Sequence, residues 1–200
     1  MCSGISSTAE YLAKKYHLGL YKADEQHKKH MARLSKKEEP YLYSVRHRKW
    51  STAFVRSPRW MLRDLLNIYD EEIDMVVEDL TKLPRNKIVI VEGAVFTPQL
   101  IRNFAKPTQA IFLLATETFQ FNHGQTRGEW VQKILSQYSD SKSTYKRWMK
   151  RDALFARYIK QGAKQYEYDV IDVTGQLDLR AIEKKVEQRL KIFQAQSGGF

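Results

Sequence analysis

Apolar positions along the chain follow two different periods. Lys87-Ile-Val-Ile-Val91 is an unbroken β-branched run and Ala110 to Ala115 is a second apolar run; neither alternates with polar residues. Such runs predict strands covered on both faces. Leu18 to Ala23 and Asp169 to Val173 predict two more strands. Between them the spacing turns helical. Ser6 or Ser7 caps a helix running to about Tyr16, and Glu25 to Leu34 reads as a polar helix closed by Pro40. Ser57-Pro58 opens a helix over Arg59 to Ile68, and Asp70 begins another that Pro84 ends. Further helices are predicted over Thr97 to Ala105, Thr126 to Gln137, Ser143 to Lys164 and Leu177 to Phe193. Alternating strands and helices predict an α/β fold, a three-layer α/β/α arrangement with a mainly parallel sheet. In such sheets ligands bind at the carboxyl ends of the strands, where Asp24, Glu92, Thr116 and the Thr174-Gly175 turn fall.

Composition narrows the class. Two hundred residues, 42% hydrophobic and 12% aromatic, suit one globular domain over 1–200, without repeats or a Pro/Gly-rich linker to divide it. A single cysteine, Cys2, excludes an intramolecular disulfide framework and a cysteine-rich zinc site, favouring a reducing, cytoplasmic setting. The longest apolar runs have the length of buried strands, so no membrane span is expected. A formal charge of +11 points to an anionic partner, and the spread of lysines and arginines along the chain favours a pocket or broad face over a basic tail.

Candidate chemistry begins at Ser3-Gly4-Ile5-Ser6-Ser7-Thr8. These residues read like the second half of a Gly-x-x-x-x-Gly-Lys-Ser/Thr phosphate loop, with Ile5 where the lysine belongs. The strand and first glycine of that motif have no counterpart before Met1, so either part of a nucleotide site is lost or the sequence starts inside it. Arg147 and Arg151 share a helix face, and Arg127 could approach from the preceding helix. Guanidinium forks suit phosphate oxygens, while a surface ion pair with a neighbour such as Asp152 is the plainer reading. His27, His30 and His123 lack the spacing of a zinc cage. The densest basic stretch, Lys28 to Lys49, carries Tyr41 and Tyr43 and is followed by Trp50; single-stranded nucleic acid is one reading, and a solvated flap the favoured one.

Together the loop remnant, Asp24 followed by His30, Ile90-Val-Glu-Gly93, Thr116 with Phe119-Gln120, Arg147-Trp148 with Arg151-Asp152, and Asp172-Val-Thr-Gly175 resemble the small P-loop nucleoside and nucleotide kinases over nearly the whole chain. The resemblance implies ATP and Mg²⁺ as cofactors and a small-molecule acceptor, with a helical lid over about 117–150. Asp24, Arg147 and Arg151 would be catalytic. Gly4, Ser6, Ser7, Thr174 and Gly175 would hold the nucleotide. His30, Glu92 and Arg127 would bind the acceptor, and Ser6 and Glu92 would hold Mg²⁺ through a hydroxyl or a water. A kinase-derived binding or regulatory protein without chemistry is the alternative, and a homodimer is left open.

Overall fold

The computed structural model describes residues 3–49, 52–124 and 128–190. Its strands form two parallel pairs. β1 (Gly19–Lys22) runs beside β2 (Val89–Glu92), with Gly19 opposite Val89 and Lys22 opposite Glu92. β3 (Ile111–Ala115) runs beside β4 (Asp169–Val173), with Ile111 opposite Asp169 and Ala115 opposite Val173. Among the described residues no ladder joins the pairs, so the single sheet expected from the pattern is instead two two-stranded sheets in a mixed α/β protein. Each pair is closed by a helical crossover, as parallel strands require.

The helices are α1 (Ile5–Lys15), α2 (Ala23–Ala32), α3 (Pro40–Arg46), α4 (Pro58–Thr81), α5 (Pro98–Ile101), α6 (Glu117–Gly124), α7 (Glu129–Leu135), α8 (Ser141–Gln165) and α9 (Leu179–Arg189). Several depart from the pattern for identifiable reasons. Pro40 opens α3 rather than closing α2, because at a first helical position its missing N–H costs nothing. The first amides of α3, Tyr41 N and Leu42 N, donate to the Glu71 carboxylate of α4 at 3.0 and 2.8 Å, a cap supplied from 30 and 29 residues away. The two helices expected over 59–83 are one 24-residue helix, since Tyr69-Asp70 contains no breaker; Ser57 caps it by accepting from Trp60 N at 3.3 Å. α5 is a single turn capped by Thr97. The helix expected over Thr126 to Gln137 is the shorter α7, with Thr126 itself outside the described residues, and α6 is a further helix that the pattern did not mark. α9 is capped by Asp178, which accepts from Ala181 N at 2.8 Å.

Shared cores hold the two sheets together. On one side Leu12 of α1, Leu113 of β3, Ile171 and Val173 of β4, and Ile182 and Val186 of α9 form a cluster against which Ile90 of β2 packs. On the other, Leu114 of β3 joins Phe155 and Ile159 of α8, with Tyr69 of α4 and Ala94, just after β2, packed against them. A separate cluster joins Val131, Leu135, Tyr138, Tyr145, Trp148 and Met149, within the segment expected as a lid, to Phe54 and Met61 outside it, with Phe54 stacked on Trp148 at 4.5 Å. No helix among the described residues is long and apolar enough to cross a membrane.

Leu12 is 2% exposed and touches the sheet and α9 together, so Leu12→Ala should lower the unfolding free energy in urea by about 2–5 kcal/mol. Val55→Ala, at a position 52% exposed, should change it by less than about 0.5 kcal/mol.

Candidate functional site

Gly4, at φ 74° and ψ 17°, turns the chain into α1 and brings no capping side chain, so the first-turn amides and the positive end of the helix dipole are left for another acceptor. Ser3 and Thr8 beside this turn are 1% and 3% exposed, and their hydroxyl oxygens have no hydrogen-bond partner among the described residues. Ile5, at the lysine position of the motif, packs into the Leu12 cluster with Phe119 and Leu177. An apolar side chain is used there for packing, and α1 starts without a cation.

Asp24 lies in the first turn of α2, and its Oδ1 accepts from Ala94 N at 3.0 Å, tying the end of β1 to the turn after β2. That turn needs Gly93. Its φ is 151°, and a Cβ would stand 2.8 Å from Cβ of Ala23 and 3.2 Å from the Asp24 carboxylate. Glu92, next in the chain, is 8% exposed. Burial raises its carboxyl above the ordinary range, and the charge of Asp24 raises it further, while the neighbouring Ser6 hydroxyl pulls it back down. Thus Gly4, Ser6, Asp24 and Glu92 meet at the carboxyl ends of β1 and β2. In the turn after β4 the ring of Phe119 lies against Gly175, and Leu179 at the start of α9 approaches to 3.2 Å of where a Gly4 Cβ would stand. Ser7 is exposed in the first turn of α1.

Arg147 is bound within the protein itself. Arg147 donates from Nε to the Phe54 carbonyl at 3.1 Å, from Nη1 to Ser143 Oγ at 2.8 Å and from Nη2 to Thr144 Oγ1 at 3.2 Å, which anchors the loop before α4 to α8. This occupies the fork expected to be catalytic. Arg151 stands over the Phe54 ring, and its Nε lies 2.6 Å from Asp152 Oδ1 in a charge contact without hydrogen-bond geometry. The other oxygen of Asp152 accepts from Gln120 Nε2 at 2.7 Å, linking α6 to α8. Tyr69, whose phenol is held protonated by burial and then by the Asp24 charge, senses Asp24 and Arg151 together. Arg127 lies outside the described residues.

His30 is 1% exposed rather than lining an open acceptor pocket. Its Nδ1 lies 2.9 Å from Glu72 Oε1 and its Nε2 3.1 Å from Asp79 Oδ2. Carboxylates only accept, so bonding both ring nitrogens requires the imidazolium. Burial opposes that charge, but the bonds to Glu72 and Asp79 outweigh it and raise the His30 pKa. Glu72 also bonds His27 Nδ1 at 2.8 Å, and Asp79 takes Arg33 Nη2 at 2.8 Å and the Tyr21 hydroxyl at 3.1 Å. Glu72 and Asp79, absent from the sequence reading, lie seven apart on one face of α4; His27 and His30 lie three apart on α2. That matched spacing was the available signal.

No group of three or more His, Cys, Asp or Glu side chains among the described residues is placed to hold a metal ion. A cleft of about 760 Å³ opens elsewhere, between α4, α5 and α8, lined by Asp70, Asp74, Arg102, Asn103 and Tyr158 among others; none of the sequence-predicted site residues lines it. Compared with protein-family models, curated proteins and solved structures, the chain matches none.

Two pH effects follow. The raised pKa values of His27 and His30 make the α2–α4 link strongest below their ordinary value of 6.5 and weaken it as pH rises through the folded values. The lowered values of Glu72 and Asp79 keep it intact above their ordinary 4.5 and 3.8 and lose it on further acidification. Urea unfolding from pH 4 to 9 should therefore show a contribution near pH 5–6 that His30→Ala removes, at a cost of about 3 kcal/mol there. Glu92 has the opposite sense to Glu72 and Asp79: its raised carboxyl destabilises the fold once ionised, so Glu92→Gln should stabilise the protein at neutral pH and not at pH 4.

Proposed function

We propose that this protein is a nucleotide-binding α/β domain of the P-loop kinase type, a three-layer arrangement whose ancestral chemistry is phosphoryl transfer from ATP to a small-molecule acceptor. The observation that carries the reading is the meeting of an uncapped α1 N-terminus, a left-handed Gly4, Asp24 and Glu92 at the carboxyl ends of one parallel strand pair. Backbone amides at a helix start suit phosphate oxygens. Asp24, fixed by Ala94, is positioned to orient an acceptor hydroxyl or take its proton. The buried Glu92 carboxyl beside the Ser6 hydroxyl suits a water-mediated contact to Mg²⁺.

The residues fit the phosphates of a nucleotide better than they fit its transfer. ATP, when bound, supplies the phosphoryl group; the chain supplies amides, one orienting carboxylate and a buried acid. Ile5 brings no charge to the outer phosphates, Arg147 is occupied by three protein acceptors, and no carboxylate cage awaits Mg²⁺ among the described residues. Those three observations favour a second reading, a binding or regulatory protein that keeps the nucleotide site with little or no catalysis. The helix N-terminus and net charge of +11 suit an anionic ligand on either reading, and a single-stranded nucleic acid is not favoured.

Thermal unfolding with millimolar ATP and Mg²⁺ tests binding: at about 100 times the dissociation constant the protein should gain about 2.7 kcal/mol. Gly4→Val, which forces a β-branched side chain into the left-handed turn, should abolish the gain. An unchanged unfolding temperature in a cooperatively folded protein would end the nucleotide reading. If ATP binds, Ile5→Lys should tighten it and raise any transfer to acceptor, whereas Asp24→Asn should lower transfer and leave the ATP-dependent stabilisation in place.

A further inference from the structure

We propose that the cleft between α4, α5 and α8 binds a short aliphatic diamine, its two ammonium groups paired with Asp70 and Asp74 and its methylene chain laid on the apolar lining. The inference stands apart from the nucleotide reading, because the cleft shares no residue with the site at the strand ends.

The carboxylates of α4 carry the argument. Of the seven Asp and Glu residues on that helix, five are already bonded within the protein. Asp64 pairs with Arg48, and Glu71 accepts the first amides of α3. Glu72 holds His27 and His30, Glu78 pairs with Lys82, and Asp79 holds His30 and Arg33. Asp70 and Asp74 alone on this helix have no hydrogen bond and no ion pair among the described residues, in a chain with 34 lysines and arginines. Both line the cleft of about 760 Å³, a volume suited to a small molecule.

Four residues apart on a helix, the two carboxylates stand side by side, with about 5–6 Å between their Cβ atoms, and repel each other. A cation with two heads at that spacing removes the repulsion and satisfies both. A single metal ion is a poorer match: hard divalent cations take six or more oxygen ligands, and no third carboxylate or histidine joins this pair among the described residues.

The other walls suit the same ligand. Arg102 lines the cleft but is turned toward the end of α8. Its Nη1 donates to the Gln99 carbonyl at 3.0 Å and to the Tyr166 hydroxyl at 3.5 Å, and its guanidinium lies 5.6 Å from the centre of the Tyr166 ring. It therefore leaves the two carboxylates to an incoming cation. Across the cleft, burial raises the Tyr158 phenol pKa, and the charge of Asp70 raises it further, which puts Asp70 within electrostatic reach of α8. Oε1 of Gln99 is buried without a hydrogen-bond partner among the described residues, so this wall keeps an acceptor for an N–H donor. Ile73, Val77, Leu100 and Phe104 supply apolar lining, and Phe104 is 52% exposed. Methylene groups laid on these side chains leave water together with them.

The long-range field of a chain with net charge +11 repels a dication, so affinity has to arise inside the cleft. That makes titration calorimetry with putrescine, without nucleotide and at fixed ionic strength, a direct test whose failure leaves the nucleotide reading untouched. Saturable binding of one putrescine per chain at millimolar concentration is expected, with a rise in unfolding temperature. Asp70→Asn and Asp74→Asn should each weaken binding about fivefold or more, and so should butylamine, which has one head. Glu38→Gln, at an exposed carboxylate outside the cleft, should leave binding unchanged. Asn103→Lys, which brings a competing ammonium to the cleft lining, should abolish it, and serves as the second variant if an aspartate change disturbs folding. No binding of putrescine, or equal binding by the Asp70 and Asp74 variants, overturns the proposal. Butylamine or Mg²⁺ binding as tightly as putrescine also overturns it, since neither needs two matched carboxylates. Binding of an oligolysine peptide but not of putrescine would make the cleft a protein-docking face and defeat the diamine assignment.

Discussion

Because a two-stranded parallel sheet is only marginally stable, β1–β2 and β3–β4 depend on the side chains that tie them into one body. Leu12 and Ile90 do so on the side of α1 and α9; Tyr69, Ala94 and Leu114 do so on the side of α4 and α8. Apolar burial is non-directional, so it can join the sheets without any hydrogen bond between them. The rest of the fold inherits this arrangement. α1 is held between the sheets and α9, and its N-terminus is carried to the carboxyl end of β2, where Asp24 and Glu92 stand.

Polar tethers then fix what apolar packing leaves loose. His30 is enclosed by Glu72 and Asp79 and holds α2 to α4 through charge-assisted bonds. Arg147 performs the same service on α8, fastening the Phe54 carbonyl to that helix. Both side chains have the chemistry of ligand-binding groups and are used as structural ties. Glu92 is the reverse case. It stays buried next to Asp24 with a raised carboxyl, a placement that costs stability once the group ionises.

Much of the fold was legible in local pattern. The β-branched run ending at Val91 and the apolar run ending at Ala115 placed β2 and β3 to within two residues, and Asp169 to Val173 matches β4 at both ends. The misses share a cause: each depended on a partner remote in sequence. α3 is capped by Glu71, so nothing near Pro40 announced it. Asp24, Gly93 and Glu92 were legible as strand-end residues, and the structure gathers them. His30 and Arg147 were read as open to ligand because residue type reports capacity for a bond, and only packing shows that the bond is already made.

The sequence by itself determined the mixed α/β class, the four strands and their parallel sense, their apolar character and the polar residues at their ends. These follow from periodicity and turn chemistry, which act over a few residues. Only the tertiary structure decided that the strands pair as two separate couples, that Ile5 turns into an apolar cluster, and that Glu72 and Asp79 claim His30. Hydrogen-bond ladders and buried charge pairs are satisfied by groups far apart along the chain, so which donor meets which acceptor is settled by packing rather than by pattern.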